Sequence, residues 1–298
     1  MSHVAYELGT QPACWERAAE LAPARRAVLP QPGERTAIVG CGTSYYMAQA
    51  AAVLREEAGQ GETDAFAASE FPRHRRYDRV VALTRSGTTT EVLDLLAGLR
   101  DAGVPTTAVV GDPATPTAAD ELVVLDFADE QSVVQTRFAT TALTLMRAHA
   151  GLHTPSVVAD ARTALVEPLP AEVAGRGQFT FLGRGWSVGL AHEAALKMRE
   201  ASLSWAESYP AMEYRHGPIS VSGPGTVTWS LDEAPDGLAE QVRATGSQWV
   251  PGQLDPLAEL VRVHRLALAV AAQRQLDPDA PRNLTRSVIL TTGEEAVR

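Results

Sequence analysis

The segment LTRSGTTTEV, residues 83–92, places hydroxyl side chains and an arginine around Gly87. Serine and threonine hydroxyls donate to phosphate oxygens, and a glycine lets the backbone approach a ligand closely. The preceding DRVVA suits a buried strand, and the following LDLLAGLRDAG has helical apolar spacing. Unpaired N–H groups in the first turn of a helix favour an anion. Taken alone, the turn fits a phosphate site and a helix capped by Thr89 or Thr90 equally well.

A second turn, GCGTS at residues 40–44, has the same construction. It follows the apolar run TAIVG, and Thr43 and Ser44 open the next helical segment. The carboxyl ends of parallel strands meet at one edge of a sheet, so the two turns together predict one anion held from two sides. Neither GxxxxGK[ST] nor GxGxxG occurs there, which argues against a nucleotide P-loop and a dinucleotide site.

The order of elements predicts an α/β fold with a mostly parallel sheet and helices on both faces. The pattern predicts strands at 36–40, 64–71, 78–84, 105–111, 121–127, 179–185 and 225–231. It predicts helices at 43–59, 90–102, 135–151, 186–202, 236–245 and 256–275. Residues 1–30 are expected to be a helical extension, 31–152 a first domain, 153–177 a connector and 178–298 a second domain. The glycine turns GCGTS and GRGWS hint at an internal duplication.

Composition narrows the functional class. The chain has 298 residues, a net charge of −10 and no long basic run, which argues against nucleic-acid binding. Cys14 and Cys41 form no CxxC pair and suggest no disulfide framework. No run of 18 apolar residues predicts a membrane span, and the N-terminus does not resemble a secretory signal. We therefore expect a cytoplasmic protein that is not associated with a membrane.

Six motifs carry a family resemblance. CGTS and SGTTTE resemble the sugar isomerase (SIS) family of phosphosugar-binding domains. Four further motifs resemble the isomerase half of glucosamine-6-phosphate synthase: FLGRG, EAALKMREAS, AESYPAMEYRHGPIS and PRNLTRSV. The order and spacing of all the motifs match over about residues 35–290. The resemblance implies two SIS-type halves, each a mostly parallel sheet flanked by helices in a flavodoxin-like three-layer arrangement. The glutamine-hydrolysing domain of the synthase is expected to be absent.

The resemblance also implies which residues hold the ligand. Arg85 stands where the synthase has glutamine, and it could contact the phosphate or point to solvent; we favour the phosphate. Gln135 stands where relatives often carry serine, and its amide could still bond the sugar or its phosphate. The hydroxyls expected to bind the sugar phosphate are those of Thr43, Ser44, Thr84, Ser86 and Thr89.

Three residues match the catalytic positions of the family. Glu200 matches the glutamate that moves a proton between C1 and C2 of the open-chain sugar. Lys197 matches the lysine that stabilises the resulting negative charge, although charges three residues apart on a helix usually form a surface ion pair. His216 matches the ring-opening histidine, which the neighbouring subunit supplies in the synthase. The resemblance therefore implies a homodimer with shared active sites. Glu193 lies in the same motif without an assigned role.

Arg286 is an informative departure from the family. The synthase has a lysine here that forms a Schiff base with a ketose, and a guanidinium cannot form that imine. Glutamine-dependent synthase activity is therefore expected to be absent. Arg286 is instead expected to belong to a C-terminal tail over the active site, with its fork on a sugar oxygen or the phosphate.

The expected function is deamination and isomerisation of an amino-sugar phosphate such as glucosamine 6-phosphate, by ring opening and C1–C2 proton transfer. Glu200 would convert the aldose to a ketimine, from which water releases ammonia. The alternatives are an aldose–ketose phosphosugar isomerase, a fructosamine-6-phosphate deglycase, a sugar-phosphate sensor without catalysis, and an enzyme for an unphosphorylated or modified sugar. No metal or organic cofactor is expected, since proton transfer and charge stabilisation suffice.

Overall fold

The computed structural model describes residues 2–114 and 118–290. Its strands are β1 Thr36–Gly40, β2 Thr63–Ala67, β3 Arg79–Leu83, β4 Thr106–Val110, β5 Glu121–Val124, β6 Gln178–Gly183, β7 Trp205–Pro210, β8 Thr226–Ser230 and β9 Gln248–Val250. Its α-helices are α1 His3–Gly9, α2 Gln11–Leu21, α3 Thr43–Glu57, α4 Thr90–Asp101, α5 Arg137–His149, α6 Pro155–Val166, α7 Ser187–Ser202, α8 Leu238–Ala244 and α9 Pro256–Gln273.

The strands form two parallel sheets. The first has the order β2-β1-β3-β4-β5, which is the flavodoxin-like order, and the second has the order β7-β6-β8-β9. In the first sheet Ile38 pairs with Ala65 on one side and with Val81 on the other. Parallel neighbours require crossover connections, and α3, α4, α7 and α8 supply them for the pairs β1–β2, β3–β4, β6–β7 and β8–β9. The predicted α/β class, with parallel sheets flanked by helices, is therefore confirmed.

Both faces of the first sheet are buried. Successive strand residues point to opposite faces, so Ile38 and Val81 belong to one apolar core while Val39 and Val80 belong to another. The second core is completed by residues of α4, including Leu95. This burial on both faces explains why the strands read as continuous apolar runs.

A layer of helices joins the two sheets. Phe181 and Trp229 of the second sheet belong to the same core as Ile38 of the first sheet. Helices α3, α5, α7 and α9 contribute to that core. A smaller core on the far side of the second sheet contains Leu182 and Leu238. Helices α3 and α7 therefore meet in the core between the two sheets.

Helices α3 and α7 cross at close range. A Cβ atom added at Gly189 of α7 would lie 2.5 Å from the carbonyl oxygen of Tyr46 and 2.9 Å from the amide nitrogen of Ala50. Only glycine permits this approach without a shift of the backbone. The crossing holds the start of α3 close to the second half of α7.

Two strands were absent from the sequence prediction, β7 and β9. β7 lies at the edge of its sheet and leaves Trp205 exposed, and β9 has three residues, so neither shows a buried apolar pattern. Pairing with β6 and β8 supplies their hydrogen bonds instead. The end of the strand predicted at 64–71 is a 3₁₀ helix, Ala68–Glu70. The predicted domain boundaries remain a prediction, with α6 inside the proposed connector. Among residues 2–114 and 118–290, no helix is long and apolar enough to cross a membrane.

Candidate active site

A pocket of about 180 Å³ lies where α3, α4 and α7 approach residues 284–288. It is lined by residues 41–43, Thr89, Glu91, Val133, Gln135, Lys197, Glu200 and residues 284–288. We refer to residues 284–290 as the C-terminal segment. Both glycine-containing turns singled out in the sequence thus contribute residues to one pocket, together with the Lys197–Glu200 pair.

Lys197 is a buried cation in the wall of this pocket. Its residue is 1% exposed, and its Nζ donates to Thr43 Oγ1 at 3.0 Å. The same ammonium group contacts the carboxylate of Glu200, whose side chain is 18% exposed. The pair is therefore not the surface ion pair that the spacing alone also allowed. The carboxylate of Glu200 thus has access to the pocket, and the Lys197 ammonium group that holds it is buried.

A second carboxyl group lies behind Lys197. Glu193 Oε1 is 3.3 Å from Lys197 Nζ, and Glu193 is buried. Burial raises the pKa of Glu193 to about 8, against the opposing effect of the Lys197 ammonium. Burial lowers the pKa of Lys197, but Glu193 and Glu200 outweigh it, so the net direction is upward. The lysine therefore remains charged inside the protein.

Some hydroxyl residues of the two turns line the pocket, and others are buried beneath its surface. Thr43 opens α3 and Thr89 precedes α4, and both line the pocket. The predicted phosphate ligands Ser44, Thr84 and Ser86 are buried beneath that surface. The positive φ of 59° at Gly87 allows the tight turn that carries this chain into α4.

The C-terminal segment places its own hydroxyl in the same turn. Ser287 Oγ lies 3.2 Å from Ser86 Oγ, 3.0 Å from Thr88 Oγ1 and 3.4 Å from Thr89 Oγ1. Two further bonds extend the contact, from the amide of Thr90 to the carbonyl of Val288 and from the amide of Leu290 to Thr90 Oγ1. The C-terminal segment thus packs against the turn predicted to bind phosphate.

Arg85 is buried between two parts of the chain. It is 2% exposed, so the expectation that it could point to solvent is wrong. Its Nη1 donates to the carbonyl of Ser132 and its Nη2 to the carbonyl of Arg286, each at 2.7 Å. Arg85 is not among the described residues that line the pocket. Its guanidinium is used to satisfy backbone carbonyls of two pocket walls.

Arg286 and Gln135 differ in their availability to a ligand. Arg286 lines the pocket, but its Nη2 bonds both carboxylate oxygens of Asp129 at 2.8 and 3.0 Å. The fork expected on a sugar oxygen or phosphate therefore rests on a protein carboxylate. Gln135 also lines the pocket, and its Oε1 has no hydrogen-bond partner among the described residues. Its amide is placed to bond a ligand.

His216 is separate from these groups. It ends a 3₁₀ helix, Glu213–His216, and is exposed. It does not line the pocket formed by the described residues of its own chain. A single chain therefore brings Lys197, Glu200 and Thr43 together and leaves the predicted ring-opening group outside.

The pocket residues that the sequence analysis did not select as ligand contacts include Cys41, Glu91 and Ser287. Each lies inside a quoted motif, beside or between residues that were chosen, so proximity in the motif was the available signal. Burial, with a contribution from Glu91, raises the pKa of the Cys41 thiol. In the described part of the chain, no group of three His, Cys, Asp or Glu residues could hold a metal ion.

Comparison with known proteins identifies a family match and several relatives of this chain. Residues 31–153 match the SIS domain. The chain is 29% identical over 314 residues to glutamine–fructose-6-phosphate aminotransferase (isomerizing) of Gloeobacter violaceus, covering 86% of this chain and 52% of that protein. The enzyme of the same name from Sulfurisphaera tokodaii is 25% identical over 293 residues, covering 86% and 50%. The chain thus spans about half the length of the curated relatives it matches.

Solved structures share the fold. Glucosamine-6-phosphate deaminase of Thermotoga maritima aligns with a TM-score of 0.83 and 23% identity over 97% of this chain and all of that one. Tagatose-6-phosphate ketose/aldose isomerase of Escherichia coli aligns with a TM-score of 0.79 and 16% identity, covering 93% of this chain and 95% of that one. At these identities the likeness concerns the fold. Residues 31–153 thus match the SIS domain, and the chain as a whole is similar to about half of glutamine–fructose-6-phosphate aminotransferase.

Proposed function

We propose that this protein is an isomerase and deaminase of an amino-sugar phosphate such as glucosamine 6-phosphate. The observation that carries the proposal is the contact of buried Lys197 with Thr43 and with the partly exposed carboxylate of Glu200, inside a pocket between two hydroxyl-rich turns. A general base must face the ligand, and its counter-ion must be fixed. The names of two solved relatives, a glucosamine-6-phosphate deaminase and a tagatose-6-phosphate ketose/aldose isomerase, support the substrate class.

The proposed chemistry is a tautomerisation followed by hydrolysis. Glu200 removes the C2 proton of the open-chain amino aldose and returns it to C1, while a proton passes from nitrogen to the C1 oxygen. The product is a C2 ketimine, and water attacks it to release ammonia and leave the ketose phosphate. Lys197 stabilises the negative charge that develops on oxygen between the two transfers. No imine with the protein is required, which agrees with Arg286 at the position of the family lysine.

The phosphate and sugar contacts are proposed from the pocket surface. Thr43, Thr89 and Gln135 line it and are the first candidates. Ser44, Thr84 and Ser86 lie below and would contribute if the ligand's phosphate enters the turn that Ser287 contacts. Arg85 is not among the proposed phosphate ligands, because it is buried outside the described pocket lining and both its Nη groups donate to carbonyls.

We further propose that His216 serves the pocket of a second copy in a homodimer with shared sites. In its own chain the histidine is exposed and lies outside the described pocket. Exposed apolar side chains of Trp205, Met212 and Val221 lie in the same part of the sequence. An exposed apolar surface beside a catalytic candidate fits a subunit contact.

The first test is an assay with glucosamine 6-phosphate that follows ammonia and ketose phosphate. Glu200→Gln should lower turnover by about 100-fold or more, the usual contribution of a general base, while a ligand-induced thermal shift persists. Glu16→Gln is the matched control, because Glu16 is a helical glutamate paired with Arg162 and lies outside the described pocket. It should retain the parent's activity.

The other outcomes separate the alternatives. Interconversion of glucose 6-phosphate and fructose 6-phosphate without ammonia release from the amino sugar would indicate a plain aldose–ketose isomerase. Binding without turnover of either sugar would contradict the proposed enzyme and favour a sugar-phosphate sensor. Equal activity of the parent and Glu200→Gln would remove Glu200 from the mechanism.

A further inference from the structure

Arg85 connects two separate walls of the pocket. The carbonyl of Ser132, which accepts from Nη1, precedes the wall residues Val133 and Gln135. The carbonyl of Arg286, which accepts from Nη2, belongs to the C-terminal segment 201 residues away in the sequence. One guanidinium thus joins the two walls, alongside the bonds from Arg286 to Asp129 and Glu130.

The charge of Arg85 is balanced behind the pocket. Burial lowers the pKa of Arg85, and Arg286 acts in the same direction, whereas Glu130, Asp129 and Glu7 oppose this shift. Glu130 is buried and accepts from the amides of Thr136 and Arg137 at 2.6 and 2.8 Å. Acidic residues of the protein thus lie around Arg85 on the side away from the pocket lining.

The rest of the C-terminal segment is held by independent contacts. Arg286 bonds Asp129 and the carbonyl of Glu130. Ser287 rests among the hydroxyls of the first-domain turn, and Leu290 donates to Thr90. Upstream, Asp279 accepts from the amides that begin α1. These bonds are spread over several residues, so the segment follows one path across the pocket.

We propose that Arg85 is a positioning residue that fixes the C-terminal segment as a standing wall of the pocket. The two carbonyl bonds orient the guanidinium between Ser132 and Arg286, and the residue is buried outside the pocket lining formed by the described residues. A planar guanidinium with several fixed donors is suited to bridging two carbonyls, whereas a glutamine amide or a lysine ammonium bridges them less well. The inference concerns the architecture of the pocket and does not depend on which sugar is bound.

Limited proteolysis tests this directly. Trypsin must take the Arg286 side chain into its own specificity pocket, so cleavage after Arg286 reports release of the segment from Asp129. We expect Arg85→Gln to raise the initial rate of that cleavage by about tenfold or more, equivalent to about 1.4 kcal/mol. Arg85→Lys keeps the charge beside Glu130 and should give an intermediate rate. Mass spectrometry identifies the cleaved bond.

Arg55→Gln is the matched control. Arg55 is also 2% exposed, and it donates to the carbonyls of Gln31, Glu34, Gln60 and Gly61, away from the C-terminal segment. Its loss should lower the melting temperature without raising cleavage after Arg286 relative to other sites. If Arg85→Gln fails to fold, the comparison of Arg85→Lys with the parent decides.

Two results would overturn the inference. One is a rate of cleavage after Arg286 that stays at the parent's value in both Arg85 variants. The other is a loss of affinity for inorganic phosphate in Arg85→Gln without any change in that cleavage, which would make Arg85 a direct phosphate ligand. Because the cleavage assay needs no substrate, it is unaffected if the proposed enzymatic activity is wrong.

Discussion

At the scale of single residues, the pocket combines carboxyl groups in contrasting environments around one lysine. Glu200 has access to the pocket, whereas Glu193 is buried behind Lys197. A buried carboxyl group favours its neutral form, because desolvation penalises the charge. Burial therefore favours the neutral form of Glu193 while its contact with Lys197 opposes that effect, and Glu200 is the carboxylate proposed for proton transfer.

The raised pKa of Glu193 predicts a pH dependence of stability. In the unfolded chain this carboxyl ionises near pH 4.3, whereas in the folded protein its pKa is about 8. Between these values the folded state holds the extra proton, so stability falls as the pH rises. Relative to Glu193→Gln, the parent should lose up to about 1.4 kcal/mol per pH unit. Denaturant unfolding of both proteins at about pH 5.5 and about pH 8 measures the difference.

The amide in Glu193→Gln imitates the protonated carboxyl group and does not titrate. The stability of the parent relative to Glu193→Gln should therefore be lower at the higher pH than at the lower one. Curves that run parallel across this range would show that Glu193 is ionised throughout and that the description of a neutral buried acid is wrong.

At the scale of elements, the site depends on where helices begin and cross. The two pocket-lining threonines lie at or just before the first residues of α3 and α4, which follow β1 and β3 in the sheet. Lys197 and Glu200 come from α7, which follows β6 in the other sheet. The α3–α7 crossing at Gly189 is what brings the two contributions together.

Substitution of Gly189 tests the crossing. A Cβ at 2.5 Å from the Tyr46 carbonyl must push the helices apart, and such overpacking typically costs about 1–3 kcal/mol. We expect Gly189→Ala to destabilise the protein by that amount and to weaken ligand binding, because Thr43 would move relative to Lys197. Thermal and denaturant unfolding, with a ligand-induced shift, measure both effects.

Gly9→Ala provides the control for that substitution. Gly9 is in helix α1, and an added Cβ there meets nothing within 4 Å. Alanine is the better helix former, so this variant should be neutral or stabilised by up to about 1 kcal/mol. Equal stability of Gly189→Ala and the parent would mean that the crossing adjusts without cost and does not fix the site.

At the scale of the whole molecule, the proposed reaction needs a group that one chain does not deliver to its pocket. His216 is exposed on the second half of the chain, outside the described pocket. A shared site in a homodimer would supply it, in agreement with the exposed apolar side chains nearby. An isologous contact would then complete two sites at once.

Subunit mixing tests the shared site. Heterodimers of Glu200→Gln and His216→Ala chains contain one site with both defects and one with neither, if each site draws its histidine from the partner. They should recover up to about half of the parental activity, although each homodimer is inactive. Differently tagged chains allow the heterodimers to be purified before assay. Purified heterodimers without activity would place the histidine in the site of its own chain.

Local patterns were enough to predict most of the fold. Apolar runs and helical spacing located β1, β3, β4 and the helices α3, α4, α5, α7 and α9, because these elements bury the side chains that create the pattern. β7 and β9 escaped because an edge strand and a three-residue strand are defined by backbone pairing with a neighbour. No periodicity in their own residues records that pairing.

The sequence by itself determined the chemistry that is available: hydroxyl-rich turns at two helix starts, and Lys197 and Glu200 on one helical face. Those features depend on residues a few positions apart. The tertiary structure decided that Lys197 is buried against Thr43, that Arg85 faces two carbonyls and that Ser287 enters the hydroxyl-rich turn. Each of these contacts joins distant parts of the chain, and only the packing of the helices and the path of the C-terminal segment bring them within hydrogen-bond distance.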